Sequence, residues 1–372
     1  MPSVRALALA ALVLLPALML GDVPAPAWQQ WHHVDGVFDV SGPRSDGRLV
    51  LATSGHMVLL DREGRAAPFA QGGGGYADDP GTEAYLVVSP GLHVASAGCD
   101  FARDDVFVLR LHRPVGVTRV TASGTALPFA AVPGVDSLNG IAFDTTGRFG
   151  GRLLVTGPAH GRTTVVALDC QGTAQVVTDA APVLEGGIAV APAGFGAFGG
   201  ALIAPDELSG RIYSIDPDGT VRTVVDSGLP TGGDIGVESA GFVPAGFTRG
   251  GSAYYADRAT PGNPHPGTDS VLRLDASVLT HAGVREGDLL VATEGGAALI
   301  GVHCAASCQV TQVVGTPTTA HGEGHVTVVA DNAVATRPAG AGAGPSPLAL
   351  GIAALAVLLL VLAGAALALR RR

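Results

Sequence analysis

The chain has 372 residues, a hydrophobic content of 47% and a formal net charge of −10, and all 22 basic residues are arginine. This length and apolar content are enough for one large domain or two small ones. The negative net charge argues against nucleic acid as a partner.

The N-terminal segment 1–27 has the pattern of a secretory signal peptide. Arg5 supplies a positive charge, residues 6–20 are apolar, and Ala25-Pro26-Ala27 forms a small-residue cleavage site. An uncleaved anchor is the alternative, which the short apolar run disfavours. We therefore expect an exported protein whose mature chain begins at Trp28.

Paired strand-like runs recur six times between residues 28 and 335. Each run is short, rich in Val, Ile, Leu or Thr, and bounded by Gly, Asp or Pro. The pairs begin with RLVLAT (48–53), LHVASA (92–97), RLLVTG (152–157), ALIAPD (201–206), AYYADR (253–258) and LLVATE (289–294). Most pairs follow one further strand, namely GVFDV (36–40), AYLVVSP (84–90), GIAFD (140–144), GIAVAP (187–192) or AGFVP (240–244). Third strands follow several pairs, so four strands repeat about every fifty residues, as in the blades of an all-β propeller.

The sixth unit is the least regular. Its first strand should precede Leu289, but residues 276–288 are not strand-like throughout, while HVTVVA (325–330) is left over. We predict six blades, with seven as the alternative. The strand at 325–330 is then available to return to the first blade and close the ring.

The C-terminal region predicts a membrane anchor. Residues 336–346 are rich in Gly, Pro and Ala, which indicates a flexible stalk. Residues 347–369 contain no charged residue and are long enough to span a bilayer, and arginines 370–372 follow directly. A buried soluble helix is the alternative. We expect the propeller domain, 28–335, outside the cell membrane and the arginine tail in the cytoplasm.

Four cysteines are compatible with disulfides in an exported protein. Cys304 and Cys308 lie between two strand-like runs, so we expect a bridge that closes a hairpin, which leaves Cys99 and Cys170 as the second pair. A Cys-x3-Cys metal site is the alternative, but no second close pair supports it.

One blade carries a family resemblance. The run Asn139-Gly-Ile-Ala-Phe-Asp144, with Gly147 and then Arg152-Leu-Leu-Val-Thr156, resembles the blade motif of the gluconolactonase, regucalcin, strictosidine synthase-like and paraoxonase group. The resemblance implies a six-bladed propeller, a divalent ion, often calcium, in the central channel, and in several members hydrolysis of lactones or esters.

The resemblance also implies a ligand set. In that group an Asn or acidic residue just before the innermost strand of a blade faces the channel and binds the ion. Positions of this kind are Asn139, Glu185 and Glu238, with Asp35 and Glu83 as additional candidates. Hard oxygen ligands of this type suit calcium. The alternative is that these residues cap turns or meet water.

A second candidate cluster is His321-Gly-Glu323-Gly-His325. In an extended chain the three polar side chains share one face, where they can bind zinc or act in acid–base chemistry. The glycine-rich context favours a structural loop instead. No Gly-x-Ser-x-Gly nucleophile motif is present. We therefore expect a module that binds an extracytoplasmic ligand or protein, with a metal-dependent lactonase or esterase as the alternative.

Overall fold

The computed structural model describes residues 26–315 and 318–331. Almost all of the predicted signal peptide lies outside these residues, as do the stalk, the apolar span and the arginine tail. Within them no helix is long and apolar enough to cross a membrane. The helices described are α1 (Ala276–His281) and two short 3-10 helices, Gly196–Phe198 and Phe247–Arg249.

Four blades are built from consecutive stretches of the chain. Blade 1 contains β2 (Asp39–Ser41), β3 (Leu49–Thr53), β4 (His56–Leu60) and β5 (Ala66–Phe69). Blade 2 contains β6 (Leu86–Val88), β9 (Val106–Arg110), β10 (Gly116–Val120) and β11 (Ala126–Ala131), with the small hairpin β7 (His93–Val94) and β8 (Cys99–Asp100). Blade 3 contains β12 (Gly140–Phe143), β13 (Leu153–Ala159), β14 (Arg162–Leu168) and β15 (Ala174–Ala181). Blade 4 contains β16 (Ala189–Val190), β17 (Leu202–Asp206), β18 (Arg211–Ile215) and β19 (Val221–Asp226).

The last two blades are interleaved. Blade 5 contains β20 (Val237–Phe242), β23 (Leu289–Thr293), β24 (Leu299–Cys304) and β25 (Cys308–Val314). Blade 6 contains β26 (Gly322–Ala330), β21 (Gly251–Asp257), β22 (Ser270–Asp275) and β1 (Gln29–His33). The pairing of segments that the repeat predicts is therefore wrong here, because the hairpin at 251–275 takes the late strand β26, and not β20, as its innermost neighbour.

Both ends of the described chain close the ring. The innermost strand β26 lies between β20 and β2, where the Val326 amide donates to Ser239 Oγ (2.5 Å) and Thr327 Oγ1 donates to the Val40 carbonyl (2.5 Å). Strand β1 forms the outer edge of the same blade through its pairing with β22. The prediction of six blades is confirmed, and β26 lies beside the first blade as the innermost strand of the sixth.

Burial follows the position of each strand in its blade. All five residues of β3 are buried, whereas most residues of the outermost strands β15 and β25 are exposed or half-buried. The apolar side chains pack between neighbouring blades; between blades 2 and 3, the rings of Phe101 and Phe107 lie 5.0 and 5.5 Å from that of Phe143. This packing of the sheets around one axis leaves the innermost strands to line the channel.

Both predicted disulfides are confirmed. Cys99 at the β7–β8 hairpin bonds to Cys170 after β14, and so joins blades 2 and 3. Cys304 bonds to Cys308 and closes the β24–β25 hairpin. No free cysteine remains, since the described residues include all four.

Candidate functional site

The innermost strands bring one polar side chain from each blade to the same end of the channel. Each of these residues stands at, or within a few residues of, the start of its strand. In ring order they are Asp39, Tyr85, Asn139, Glu185, Glu238 and Glu323. We call this end the channel mouth. The Asp39 carboxylate reaches one level deeper, where it accepts a hydrogen bond from the Leu86 amide. Asp39, Tyr85, Glu238 and Glu323 are buried, so the mouth concentrates carboxyl groups away from water.

Tyr85 links two of these carboxyl groups. Its hydroxyl oxygen lies 2.9 Å from Glu238 Oε1 and 2.8 Å from Glu323 Oε2. A tyrosine hydroxyl has one hydrogen to donate, so it donates to one carboxylate and accepts a hydrogen bond from the other carboxyl group. One of the two glutamates must therefore carry a proton.

Glu238 is the protonated partner. Burial raises the pKa of its carboxyl group well above the usual range, and the negative charges of Glu323 and Glu294 raise it further. Glu323, in contrast, faces two cations: Arg258 Nη1 lies 3.2 Å and His321 Nε2 lies 3.5 Å from its Oε1. Because two cations contact Glu323, we assign the proton to Glu238.

Glu294, His321 and Glu323 converge beside this pair. Glu294 follows β23, and its Oε1 lies 3.0 Å from His321 Nε2. One ligand atom from each of the three residues lies within 4.8 Å of the others, and all three residues are buried. Burial raises the pKa of Glu294 to about 8. Burial would lower the pKa of His321, but Glu294 and Glu323 raise it to about 10.

Arg258 connects the cluster to Glu83. Its guanidinium group contacts the Glu83 carboxylate as well as that of Glu323. Burial raises the pKa of Glu83, and so does the charge of Glu323, whereas Arg258 lowers it. Glu83 is thus part of the network through an ion pair, and Tyr85, two residues later, takes the place at the start of β6.

A second layer of polar contacts lies deeper in the channel. His325 Nδ1 is 2.9 Å from Asp39 Oδ1, and its Nε2 is 2.9 Å from the Ile141 carbonyl oxygen. Because both partners are acceptors, both ring nitrogens donate and the imidazole is charged. Burial alone would lower the pKa of His325, but the Asp39 carboxylate raises it. This pair ties blades 1, 3 and 6 together below the mouth.

Asn139 and Glu185 lie side by side at the mouth. Asn139 Nδ2 donates to the Leu184 carbonyl (2.6 Å) and to Glu185 Oε2 (3.2 Å), and its Oδ1 accepts from Thr156 Oγ1 (3.1 Å). Burial raises the pKa of Glu185 to about 7, although the hydrogen bond from Asn139 lowers it. Glu185 therefore changes its charge in the neutral pH range.

A cleft of about 460 Å³ opens above these residues. Glu83, Tyr85, Asn139 and Glu185 lie along it, so its polar part comes from three successive blades. Its apolar lining consists of Leu111, Leu138, Pro158, Val183 and Leu184. The volume is within the range of small-molecule sites in proteins, which combine apolar walls with a few polar groups.

Asp35 is not brought to the mouth. Its side chain is 94% exposed and its Oδ1 lies 2.9 Å from His33 Nε2. The sequence pattern placed the first inner strand at 36–40, but β2 begins at Asp39. Asp39 therefore occupies the position expected for Asp35, because residues 34–38 connect β1 to β2.

The His321–His325 segment is not a loop, and its three side chains do not share one face. Residues 322–330 form the inner strand β26, but Gly324 has a positive φ of 69°. A side chain at Gly324 would lie 2.3 Å from Asp39 Oδ1. The resulting bulge directs His325 to Asp39 while His321 and Glu323 remain with Glu294.

Four participants were missed from the sequence: Asp39, Tyr85, Arg258 and Glu294. Asp39 and Tyr85 show the same sequence pattern as Asn139, namely a polar side chain at the start of an inner strand. Arg258 and Glu294 follow β21 and β23, and no local pattern distinguishes them from other charged residues at strand ends. Their role depends on the interleaving of blades 5 and 6.

No protein-family profile matches the chain, and no curated protein does. Solved structures similar to this six-bladed propeller include gluconolactonase and virginiamycin B lyase structures. A streptogramin B lyase structure is 14% identical over 81% of this chain and 91% of its own, with a TM-score of 0.42. Virginiamycin B lyase from Staphylococcus aureus is 11% identical over 77% and 87%, with a TM-score of 0.41.

A gluconolactonase from Xanthomonas campestris is 14% identical over 61% of this chain and 67% of its own, with a TM-score of 0.36. At these identities and TM-scores, the function of this chain has to be argued from its own side chains.

Proposed function

We propose that this chain is an exported, membrane-anchored β-propeller that binds a small polar ligand in the cleft at its channel mouth, supported by a divalent cation. The observation that carries the proposal is the cleft itself, in which Tyr85, Asn139 and Glu185 from three successive blades border one opening lined by apolar side chains. A rigid ring of blades holds these groups in place before a ligand arrives.

The charge balance is the reason for including a cation. The mouth and the layer below it contain six carboxyl groups and three cationic side chains: Asp39, Glu83, Glu185, Glu238, Glu294 and Glu323 against Arg258, His321 and His325. With all six carboxyl groups ionised, negative charge exceeds positive charge, and burial together with this excess raises the pKa values of Glu185, Glu238 and Glu294. Converging carboxylates repel one another unless protons or a counter-ion neutralise them. The sequence resemblance implies calcium as that ion.

The test of ligand binding is a thermal-shift screen of the full-length chain in detergent. The panel contains hydroxy acids, sugar lactones, aryl esters and primary amines. We expect at least one compound to raise the melting temperature, because a ligand that binds the folded state stabilises it. Val183→Trp, which fills the cleft, should abolish that shift. Val176→Trp, on the exposed outer strand of blade 3, is the matched control and should retain it. A panel without any shift would contradict the proposal.

The proposed location is the outer face of the cell membrane. Two disulfides support export, because such bonds persist in oxidising compartments. Strand β26 begins at the channel mouth at Gly322 and ends at Ala330, eight positions later and so about 26 Å away. The cleft would therefore face away from the predicted anchor. Protease added to intact cells should release the domain; a protected domain would reverse the topology.

A second candidate function is metal-dependent hydrolysis of a lactone or ester. The observation that favours it is Glu185, which lines the cleft and has a pKa of about 7, the range of an efficient general base at neutral pH. The carboxylate of Glu185 would take a proton from a water molecule. The water oxygen would bond to the carbonyl carbon, and the departing alkoxide would recover a proton as the carbon–oxygen bond breaks. A bound metal would polarise the carbonyl group.

A pH-stat assay of the same lactones and esters tests this candidate. The rate of hydrolysis should rise as pH increases through about 7, because Glu185 ionises there. Glu185→Gln should abolish hydrolysis. Glu63→Gln, at an exposed surface position, is the control. Unchanged hydrolysis in the Glu185→Gln protein would exclude this role.

A further inference from the structure

The carboxylates of Glu294 and Glu323 both point at one nitrogen atom. His321 Nε2 lies 3.0 Å from Glu294 Oε1 and 3.5 Å from Glu323 Oε1. This nitrogen carries at most one hydrogen, which can be directed at one carboxylate only. A divalent cation between the three atoms would satisfy all of them. Neighbouring ligands of a tetrahedral metal with bonds of about 2.0–2.2 Å lie about 3.3–3.6 Å apart. The separation from Glu323 lies in this range, and that from Glu294 is slightly shorter.

Glu207 adds an independent observation. It follows β17 in blade 4, is 8% exposed, and its buried Oε1 has no hydrogen-bond partner among the residues that the structure describes. Its carboxyl group lies within hydrogen-bond reach of that of Glu294. Burying a carboxyl oxygen without a partner costs free energy, so we expect a proton or a cation beside Glu207 Oε1.

The backbone holds Glu207 in this position. Its carbonyl oxygen accepts a hydrogen bond from the Gly232 amide (3.1 Å), and the Glu294 amide donates to the Gly236 carbonyl (2.9 Å). A side chain at Gly236 would lie 2.2 Å from the Glu207 carbonyl oxygen and 2.7 Å from its Cγ. Glycine at this position therefore lets the blade 4 loop approach the blade 5 cluster closely.

We propose that Glu294, His321 and Glu323 form a binding site for a divalent transition metal such as zinc or manganese, with the Glu207 carboxyl group beside Glu294 as an outer partner. The proposal rests on the proposed function, since Tyr85 places this site directly behind the cleft through its hydrogen bond with Glu323. An imidazole with carboxylates suits zinc and its neighbours, whereas calcium takes oxygen ligands. The site thus differs in place and chemistry from the calcium site expected at Asn139, Glu185 and Glu238.

Arg258 would act as an outer partner of the metal site. Its Nη1 lies 3.2 Å from Glu323 Oε1 and also contacts the Glu83 carboxylate, which lines the cleft. Hydrogen bonds of this kind orient a ligating carboxylate. They also give a physical connection between the metal and a ligand that touches Glu83.

Calorimetric titration of the EDTA-treated, full-length chain in detergent tests the proposal. The probes are zinc chloride, manganese chloride and calcium chloride, each added to the dialysed protein. We expect one equivalent of zinc or manganese to bind. His321→Gln should weaken that binding at least a hundredfold, and Glu207→Gln at least tenfold. His33→Gln removes an exposed imidazole that pairs with Asp35, so it should leave the affinity unchanged.

Full affinity in the His321→Gln protein, or binding of calcium without zinc or manganese, would overturn the proposal. If His321→Gln lowers the melting temperature so far that it cannot be titrated, Glu207→Gln decides, because no hydrogen bond to Glu207 Oε1 is broken by that substitution. If Glu185→Gln abolishes calcium binding, the ion binds instead at the starts of the inner strands, near Asn139, Glu185 and Glu238.

The thermal-shift screen separates this inference from the proposed function. One outcome is a compound whose melting-temperature shift is abolished by Val183→Trp and unchanged by His321→Gln. This result would support ligand binding in the cleft and would show that the metal site does not contribute to it. Zinc binding at Glu294, His321 and Glu323, without any compound in the cleft, would support the metal site and reject the proposed function.

Discussion

Glu238→Gln and Glu323→Gln are expected to have very different effects on the stability of the metal-free protein, although both replace a buried glutamate that contacts Tyr85. The contacts of Tyr85 and the raised pKa of Glu238 assign a proton to Glu238, which then donates to the Tyr85 hydroxyl, while the hydrogen of that hydroxyl is directed at Glu323. A glutamine amide at position 238 can make the same donation without a change of charge.

The expected magnitudes depend on which interactions each substitution removes. Glu238→Gln preserves the hydrogen bond and the shape, so the free energy of unfolding at pH 7 should change by less than about 1 kcal/mol. Glu323→Gln removes the charge that faces Arg258 and His321. Breaking a buried ion pair costs about 3–5 kcal/mol. Each cation keeps a second carboxylate, Glu83 or Glu294, so we expect the lower end, about 3 kcal/mol.

Guanidinium chloride unfolding in EDTA at pH 7, followed by tyrosine and tryptophan fluorescence, measures both changes. Glu63→Gln, at an exposed site, serves as the control for a charge-neutralising substitution. A loss of about 3 kcal/mol in Glu238→Gln, equal to that in Glu323→Gln, would mean that Glu238 is ionised. The hydrogen-bond assignment around Tyr85 would then be wrong.

The pH dependence of stability and the two disulfides give the remaining predictions. The pKa is raised from 4.5 to about 7 in Glu185, from 4.5 to about 8 in Glu294, and from 6.5 to about 10 in His321. All three bind protons more tightly when folded, so the free energy of unfolding should fall as pH rises from about 5 to 10; a rise across this range in denaturant titrations would contradict the assignment. Cys170→Ser opens a loop with a sequence separation of 71 and should cost about 4 kcal/mol, against about 2 kcal/mol for Cys308→Ser, where the separation is 4. Equal losses of unfolding free energy, measured by chemical denaturation, would show that loop closure does not govern these bridges.

The amino-acid sequence alone was sufficient for blades 3 and 4, whereas in blade 1 the outermost strand β5 was not predicted. In blade 2 the run at 92–97 belongs to the separate β7–β8 hairpin, and the outermost strand β11 was not predicted. The strands of blades 3 and 4 follow one another directly, so turn chemistry and alternation of apolar residues determine each hairpin locally. The turn Asp216-Pro-Asp-Gly219 is an example: Gly219 has a positive φ of 85° and its amide donates to the Asp216 carbonyl oxygen (2.9 Å). The four-residue spacing of Cys304 and Cys308 likewise predicted their bridge, because a hairpin brings these positions together.

The order of the last two blades was decided by tertiary structure. Strands β20 and β26 have similar Val- and Ala-containing patterns, and either could pair locally with the hairpin at 251–275. Only closure of the ring distinguishes the two arrangements, because β26 must also contact β2 and leave β1 at the outer edge. Such contacts join residues almost 300 positions apart and leave no local signal in the sequence.

Some residues of the candidate site could also be predicted from the sequence, whereas others join it only through the tertiary structure. Asn139, Glu185 and Glu238 could be predicted, since each stands near the start of an inner strand and all such starts meet at one axis. For blade 1 the sequence pattern selected Asp35 in place of Asp39. A shift of a few residues in the start of β2 moves a side chain from the channel to the solvent. Glu294 became part of the site only when the interleaved blades brought β23 beside β26. Convergence of this kind depends on which strands are neighbours, and that is a property of the closed ring and not of any one segment.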